Sequence, residues 1–466
     1  MALLFWPRGG SAQVARYLSR ALIAGGDQVL LATGSNGAPG DHGDAATFFG
    51  DVPIAPFGYE DAIEAFTRGE DPMDNPRPLH PSYEDRAGVA DRVITALTAA
   101  QHAHAVAAWT EHLSAFRAFV DAEVLHIHHL SALQLAARAA APSAPIVTHL
   151  HGTELKLLDA IERREPGIAD LPGTAPAREL LHAAAACSNA FIVNSPHDRT
   201  EAVRLLALDP AITHELTNGV DIARFAPRDV APDERRANWR RWLVEDPQGW
   251  NSATGRPGSI AYEERDLDRF VDPVTGAPRT VLMFVGRFLG FKRVPLLVRA
   301  YARAREHMID PAPLVIWGGA PGEWEGEHPH DVALELGVED VFFTGWRGHD
   351  ELPLGLASCD ALVAPSVDEP FGQVYLEAMA CGLAVIGTAT GGPLSFVNVH
   401  PGDPDGWLVA PDDIDALAQA MVKVVNEPGE RRRRAANGLT HVRADYSWTT
   451  VAERVSGVYD SVTMRH

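Results

Sequence analysis

The segment ALVAPSVDEPFGQVYLEAMACG, residues 361–382, contains an aliphatic run, then a turn, then a helical pattern. The run from Ala361 to Ala364 predicts a buried strand, and the residues after Gly372 predict a helix. The turn that begins at Glu369 therefore lies at the carboxyl end of a strand and at the N-terminus of a helix. Open α/β sheets bind ligands at this position, and the free N–H groups of a helix N-terminus favour phosphate.

The same alternation of short apolar runs and longer helical patterns extends over most of the chain. It gives two series of predicted strands, one over residues 2–6, 28–32, 124–128, 145–150 and 191–194, and one over residues 280–285, 314–317, 341–344, 361–364 and 384–387. Strands that alternate with helices form parallel sheets with helices on both faces. The sequence therefore predicts an α/β protein with two Rossmann-like halves.

This pattern divides the chain into four segments. They are an N-terminal Rossmann-like domain over residues 1–226, an insertion or linker over 227–279, a C-terminal Rossmann-like domain over 280–440 and a C-terminal helix over 441–466. The insertion contains Trp239, Trp242 and Trp250. Because large apolar side chains are costly to leave in water, we expect part of it to pack, with a helix over residues 233–244. We expect the C-terminal helix to pack back towards the N-terminal domain.

The composition of the 466 residues narrows the classes of function. Lys and Arg number 40 against 62 Asp and Glu, a net charge of −22 that disfavours nucleic acids and anionic membranes as partners. The apolar start, residues 1–6, is too short for a signal peptide or a membrane span, so we expect a cytoplasmic protein without stable membrane insertion. Three cysteines, Cys187, Cys359 and Cys381, show no spacing typical of a disulfide framework or a thiolate zinc site.

Four charged residues in the second half are candidates for a ligand site. Glu369 and Glu377 are eight residues apart, so their carboxylates can reach different parts of one long ligand. Arg287 and Lys292 lie in the turn after the first strand of this half, where two cations can neutralise a diphosphate. Each pair also has a simpler explanation, since acids near a helix start balance the helix dipole and cations in turns are often surface charges.

With these motifs the sequence resembles the retaining glycosyltransferases of family 4, which have the GT-B fold of two Rossmann-like domains facing a crevice. Glu369 and Glu377 match the E-x-seven-E motif of that family, and Gly286, Arg287 and Lys292 match its G-R…K turn. Further matches follow in the expected order at Gly9-Gly10, residues 151–154 (HGTE), residues 218–221 (NGVD) with Phe225, residues 343–345 (FTG) and Gly391-Gly392. Some of these motifs are weak alone, but the set in this order is specific to the family.

The resemblance implies a role for each charged residue. Glu377 would hold the ribose hydroxyls of a nucleotide-sugar, and Glu369 would hold hydroxyls of the transferred sugar. Arg287 and Lys292 would stabilise the departing diphosphate. His151 would lie near the sugar, so the implied catalytic residues are Glu369, His151, Arg287 and Lys292.

The resemblance also implies uncharged donor-binding residues. They are Gly9, Gly10, Trp346, Pro370, Phe371 and Gly372. The turn residues would complete a phosphate cradle, although any tight turn uses glycine. Trp346 would either stack on the nucleobase or pack as an aromatic residue of its loop.

The implied activity is transfer of a hexosyl or related group from a nucleotide-diphosphate-sugar, a UDP- or GDP-sugar, to a small molecule with retention of anomeric configuration. No cofactor or metal is expected, because Arg287 and Lys292 supply positive charge at the diphosphate. The helical pattern over residues 89–120 has few basic residues. We therefore expect a small polar acceptor, of specialised metabolism or of thiol-type cofactor synthesis, rather than a lipid.

A histidine-rich region supports a rival hypothesis. His126, His128 and His129 end one predicted strand, His149 and His151 end another, and imidazoles are common metal ligands. A metal-dependent hydrolase that uses His126, His128 and His151 is therefore the alternative enzyme, although no H-E-x-x-H motif occurs. A noncatalytic nucleotide-sugar-binding protein is the third hypothesis. Assays of transfer and of donor hydrolysis separate the three.

Overall fold

The computed structural model describes residues 1–7, 9–41, 43–83, 89–367, 369 and 371–464. The contacts divide the chain into two compact units. Unit 1 contains Met1–Gly219 and Trp448–His466, and unit 2 contains Val220–Ser447. The chain therefore leaves unit 1 and returns to it for its last helix.

Unit 1 is built on a parallel sheet. In the described residues, seven strands pair in the order β3-β2-β1-β4-β5-β6-β7. The strands are β1 Ala2–Leu3, β2 Leu31–Ser35, β3 Ile54–Gly58, β4 Leu125–His128, β5 Ile146–His149, β6 Ala190–Val193 and β7 Thr213–Glu215. All residues of β1, β2, β4, β5 and β6 are buried, as expected for parallel strands with helices on both faces.

Helices cover both faces of this sheet. They are α1 Gly9–Gly25, α2 Ala45–Phe49, α3 Glu60–Thr67, α4 Ala99–Ser114, α5 Arg117–Val120, α6 Ala132–Ala140, α7 Thr153–Glu162, α8 Thr174–Ala186 and α9 Pro196–Leu206, with Trp448–Thr463 as the last helix of the chain, α17. In α1, Val14, Leu18 and Leu22 recur at helical spacing, and this stripe packs against Val451 and Val455 of α17. Helices α4 and α6 pack on the opposite face.

Unit 2 repeats this architecture. Among its described residues, six parallel strands pair in the order β10-β9-β8-β11-β12-β13. They are β8 Leu282–Gly286, β9 Leu314–Gly318, β10 Val341–Gly345, β11 Ala361–Val363, β12 Ala384–Thr388 and β13 Gly406–Val409. In each sheet the first strand of the series lies beside the fourth, and the chain winds away from this pair in both directions. Such a switch point is where doubly wound sheets bind ligands.

Helices also pack on the sheet of unit 2. They are α10 Pro232–Arg240, α11 Val294–Ala304, α12 Pro329–Glu335, α13 Leu352–Ala357, α14 Gln373–Ala380, α15 Ile414–Asn426 and α16 Pro428–Asp445. Of these helices, α14 is the most deeply buried, since all its residues from Tyr375 to Ala380 are buried. In α11, Val294, Leu297, Val298 and Tyr301 are buried, and the helix packs against α15. Within the described ranges, no helix has both the length and the hydropathy needed to cross a lipid bilayer.

Residues 227–279, the predicted insertion, lie in unit 2. Helix α10 continues into a π-helical turn, Arg241–Glu245. The side chains of Trp239, Trp242 and Trp250 are 0%, 0% and 1% exposed and belong to the same hydrophobic core as the strands of unit 2. Burial of these three indoles keeps the segment packed on its sheet.

Candidate functional site

The carboxyl ends of β8 and β11 meet at the switch point of unit 2. Arg287 and a 3-10 turn, Gly290–Lys292, follow β8, and the turn that contains Glu369 follows β11. Neighbouring parallel strands end at the same edge of a sheet, so the two turns lie together. This edge is the place at which an α/β sheet accepts a ligand.

Lys292 and Glu369 form an ion pair between these turns. Lys292 Nζ donates to Glu369 Oε2, and only 15% and 11% of the two side chains are exposed. When an ion pair is largely withdrawn from water, loss of one charge leaves the other uncompensated. Each of the two residues therefore depends on the other for its place in the structure.

Backbone contacts hold the turn around Glu369. Gly392 N donates to the carbonyl oxygen of Glu369 over 2.8 Å. A Cβ atom at Gly392 would lie 2.0 Å from the carbonyl oxygen of Phe371, so only glycine fits there. Gly372, with φ of 93°, adopts the left-handed conformation that favours glycine and immediately precedes α14. Pro370 lies outside the described residues, and its role stays a prediction.

Arg287 differs from Lys292 in its surroundings. Its side chain is exposed, and it has no hydrogen-bond or ion-pair partner among the residues that the structure describes. A free guanidinium offers a planar set of donors that matches phosphate oxygens. Arg287 is therefore available to an anionic ligand without the loss of an internal contact.

Glu377 lies in α14 with its carboxylate against an imidazole. His349 Nε2 lies 3.0 Å from Glu377 Oε1, and the side chains of His349 and Glu377 are 31% and 6% exposed. His349 was not among the residues predicted from the sequence. The prediction for this loop used residues 343–345 and Trp346, and the available signal was a second ring with an N–H group three residues after Trp346. Trp346 is 58% exposed, and its predicted contact with a nucleobase stays a prediction.

In unit 1, the pairing of β4 with β5 gathers a cluster of histidines. His128 is in register with His149, so His126, His128 and His149 lie on one face of the sheet. His151 follows two residues after His149, and its Nε2 lies 3.0 Å from His128 Nδ1. The structure thus brings together His126, His128 and His151, the three residues of the rival metal hypothesis.

Glu154 fixes the start of α7 beside this cluster. Its buried carboxylate accepts the backbone N–H of His151 over 3.1 Å and lies 3.3 Å from His129 Nδ1. The hydroxyl of Thr153 donates to the same carboxylate over 3.0 Å. Within the HGTE motif, the Glu154 side chain therefore holds the backbone of His151 in place.

Burial determines the charge of the cluster. It lowers the pKa of His149 to about 4. It also holds the pKa values of His126, His128 and His151 well below 6.5, and neighbouring imidazoles lower them further. These four side chains are therefore neutral at pH 7.

In three hydrogen bonds of the cluster, the donor and the acceptor can be assigned. Asn194 Nδ2 donates to the carbonyl of Leu150, so Asn194 Oδ1 is the atom that accepts from His149 Nε2, over 3.1 Å. His149 Nδ1 must then accept from His126 Nε2 over 3.3 Å. His126 Nδ1 accepts in turn from the Tyr459 hydroxyl over 2.7 Å. The tautomers of both imidazoles follow from this chain of donors.

The same geometry disfavours a hydrolytic metal centre. In the described parts of the chain, one nitrogen each of His126, His128 and His149 lie within 4.8 Å of one another, and His151 is not part of the group. The group has no carboxylate, all three residues are buried, and two of them already bond to each other. A catalytic metal keeps an open position for water. The alternative of a metal-dependent hydrolase is therefore not favoured.

The two N-terminal glycines lie at a helix start. Helix α1 begins at Gly9, whose φ is 73°. A Cβ atom at either Gly9 or Gly10 would meet nothing within 4 Å. The backbone is thus open to close approach at this point, and its predicted contact with a donor stays a prediction.

Two protein-family models match the chain. Residues 8–224 match the model described as Glycosyltransferase Family 4, and residues 269–441 match the model described as Glycosyl transferases group 1. Most of the insertion lies between the matched regions. The first matched region contains strands β2 to β7, and the second contains strands β8 to β13.

Curated relatives and a solved structure agree with these matches. A D-inositol 3-phosphate glycosyltransferase from Stackebrandtia nassauensis is 37% identical over 193 residues, 40% of this chain and 42% of the relative. The chain thus spans less than half of the length of this relative. The protein of the same name from Kribbella flavida is 26% identical over 350 residues, 73% of this chain and 72% of the relative. Sucrose-phosphate synthase from Thermosynechococcus elongatus has a similar fold, with a TM-score of 0.65 and 20% identity over 100% of this chain and 99% of that chain.

Proposed function

Because the chain belongs to glycosyltransferase family 4 and has the GT-B fold, we propose that it transfers a sugar from a nucleotide-diphosphate donor to a small polar acceptor, with retention of anomeric configuration. The Lys292–Glu369 pair at the carboxyl ends of β8 and β11 is the observation that carries this proposal. A nucleotide bound at a switch point needs cations for its phosphates and carboxylates for its hydroxyls. This edge of the sheet offers both.

We assign the donor to unit 2. The exposed guanidinium of Arg287 and the ammonium of Lys292 bind the diphosphate, while Glu369 binds hydroxyls of the transferred sugar. Glu377 binds the ribose hydroxyls, and Trp346 stacks on the nucleobase. The support for this assignment is the position of Lys292 and Glu369 at the carboxyl ends of β8 and β11, with Glu377 in the helix that follows β11.

We assign the acceptor to unit 1. The imidazole of His151 is neutral, and its position is fixed by Glu154 and His128. A neutral imidazole can hydrogen-bond a hydroxyl without placing a charge beside it. The relatives named above carry D-inositol 3-phosphate in their names, so a phosphorylated cyclitol is the first acceptor to test.

In the proposed reaction, the bond between the sugar C1 and the phosphate oxygen breaks while the acceptor oxygen bonds to C1 on the same face. The proton of the acceptor hydroxyl passes to the departing phosphate oxygen, so no protein base is needed. Negative charge grows on the diphosphate, and Arg287 and Lys292 stabilise it there. These cations take the place of a divalent metal ion, and we propose that transfer needs none.

The test is an assay with defined donors and acceptors. UDP- and GDP-sugars are offered with D-inositol 3-phosphate and with unphosphorylated polyols, and NMR of the product gives its anomeric configuration. A nucleotide at a hundred times its Kd should add about 2.7 kcal/mol to the free energy of unfolding, which identifies the donor first. Transfer with retention, unaffected by chelator, is expected.

Two outcomes would contradict the proposal. If the donor binds but is neither transferred nor hydrolysed, the noncatalytic hypothesis is supported. Hydrolysis that chelator abolishes and zinc restores would revive the metal-dependent hydrolase.

A further inference from the structure

The two carboxylate oxygens of Glu377 have different surroundings. Oε1 lies 3.0 Å from His349 Nε2. Among the described residues, Oε2 has no hydrogen-bond partner, and it is not one of the polar atoms shut off from solvent. One oxygen is therefore held by the protein, while the other is open to a ligand.

His349 is in turn held by the segment that begins unit 2. The ring of Phe225, which is 1% exposed, meets the His349 ring edge-on with centroids 5.3 Å apart. Arg224 Nη2 donates to the His349 carbonyl over 2.8 Å and to Asp350 Oδ1 over 2.6 Å. Both the ring and the backbone of His349 are thus fixed from one side.

Asp221 shapes the segment that supplies these contacts. Its Oδ1 accepts the backbone N–H groups of Ala223 and Arg224 over 3.1 and 3.0 Å, and its carbonyl accepts the N–H of Phe225 over 2.8 Å. This turn aims Arg224 and Phe225 at the loop of His349. The last residues of the NGVD motif and its associated Phe225, to which the proposed reaction gives no role, therefore connect through His349 to Glu377.

We propose that His349 is a positioning residue for the donor. Its Nε2–H holds Oε1 of Glu377 and so directs Oε2 towards the ribose hydroxyls. The proposal rests on the proposed function, because it needs a ribonucleotide at Glu377. A carboxylate oriented before the ligand arrives loses less conformational freedom on binding, so His349 should increase donor affinity without touching the reacting atoms.

The test compares two substitutions of His349 with a control. His349→Leu removes the N–H group that bonds to Glu377, whereas His349→Gln places an amide N–H group at a similar distance from the backbone. His307→Gln, at an exposed histidine elsewhere in unit 2, is the control. Binding of UDP and GDP is measured by calorimetry, and donor KM and kcat are measured where transfer occurs.

For the nucleotide that wild type binds, we expect His349→Leu to raise Kd and KM about tenfold with kcat unchanged, since a hydrogen bond to a charged group is lost. His349→Gln should recover most of this loss, and His307→Gln should match wild type. Equal affinity in all four proteins, or tighter binding by His349→Leu, would overturn the proposal. Tighter binding would mean that the imidazole competes with the ligand for Glu377.

A double-mutant cycle locates the effect. His349→Leu is repeated in the Glu377→Gln background, and ribonucleotides are compared with their 3′-deoxy analogues. If His349 acts through Glu377 on the ribose, its effect should largely disappear in both comparisons. Persistence of the full tenfold effect in both would show a different role. If wild type binds no nucleotide at all, the proposed function fails, and this outcome is distinct from failure of the inference.

Discussion

Glu369 and Glu377 occupy one short segment but have partners of different kinds. Glu369 is paired with a cation that is also proposed to bind the diphosphate, so movement of Lys292 towards phosphate would alter the surroundings of Glu369. Glu377 meets an imidazole whose position is set by a separate segment. The two carboxylates should therefore affect different steps of the reaction.

Substitution of each glutamate should separate these steps. Glu377→Gln should mainly raise the donor KM, because the ribose changes little in charge during the reaction. Glu369→Gln should mainly lower kcat, because the transferred sugar gains positive character as the diphosphate departs. Each change should lower kcat/KM about ten- to a hundredfold, and steady-state kinetics with saturating acceptor measure it. Glu335→Gln, at an exposed position of α12, is the control, and unchanged kinetics in both site variants would remove both residues from the site.

The two cations should differ in their effect on stability. Lys292→Met leaves the Glu369 carboxylate buried without its partner, so the free energy of unfolding should fall by about 3 kcal/mol. Arg287→Gln changes an exposed side chain without internal partners in the described structure, so its unfolding free energy should stay within about 0.5 kcal/mol of wild type. Both should lose transfer activity. Denaturant titration beside kinetics checks this, and a stable, inactive Lys292→Met variant would contradict the mutual dependence of the pair.

At the scale of elements, the sequence predicts the central strands best. The run Ala361 to Ala364 is confirmed as β11, because a strand buried on both faces must be apolar throughout. The predicted series lack strands β3, β7 and β13, since each lies at an edge of its sheet and is only partly buried. The contact of His349 with Glu377 joins a loop to a helix 28 residues later, and no local pattern encodes such a pairing.

The turn between β11 and α14 should not tolerate a larger residue at Gly392. Gly392→Ala would place Cβ 2.0 Å from the Phe371 carbonyl oxygen, so the turn must shift and Glu369 with it. We expect lower thermal stability and a fall in kcat. Gly429→Ala is the control, because a Cβ there meets nothing within 4 Å and the residue lies in the first turn of helix α16. Similar melting temperatures and activities for the two variants would show that Gly392 is not needed for close approach.

At the scale of the whole molecule, the neutral histidines should make the protein sensitive to acid. The pKa of His149 is about 4 in the folded chain, against about 6.5 in the unfolded chain. Between these pH values the unfolded chain binds more protons, so the free energy of unfolding falls as the pH falls from about 6.5 to about 4. The lowered pKa values of His126, His128 and His151 act in the same direction.

His149→Gln tests whether His149 contributes to the acid sensitivity. The variant loses the bonds to His126 and Asn194 and should be less stable than wild type at pH 7.5. Glutamine does not titrate, so acid should destabilise wild type more than the variant. The difference between their free energies of unfolding should therefore shrink by about 2 kcal/mol between pH 7.5 and pH 5. Denaturant unfolding at several pH values measures it, with His307→Gln as the control. A difference that stays constant over this range would show that His149 is not the titrating group.

The return of the chain to unit 1 has a consequence for biosynthesis. Helix α17, which covers the Val14, Leu18 and Leu22 stripe of α1, is separated from the rest of unit 1 by Val220–Ser447. At typical rates of translation, synthesis of that stretch takes on the order of ten to fifty seconds. During that time the Val14, Leu18 and Leu22 stripe of nascent unit 1 lacks the helix that covers it in the folded protein. Unit 2, whose residues are consecutive, can finish folding first although its synthesis starts later.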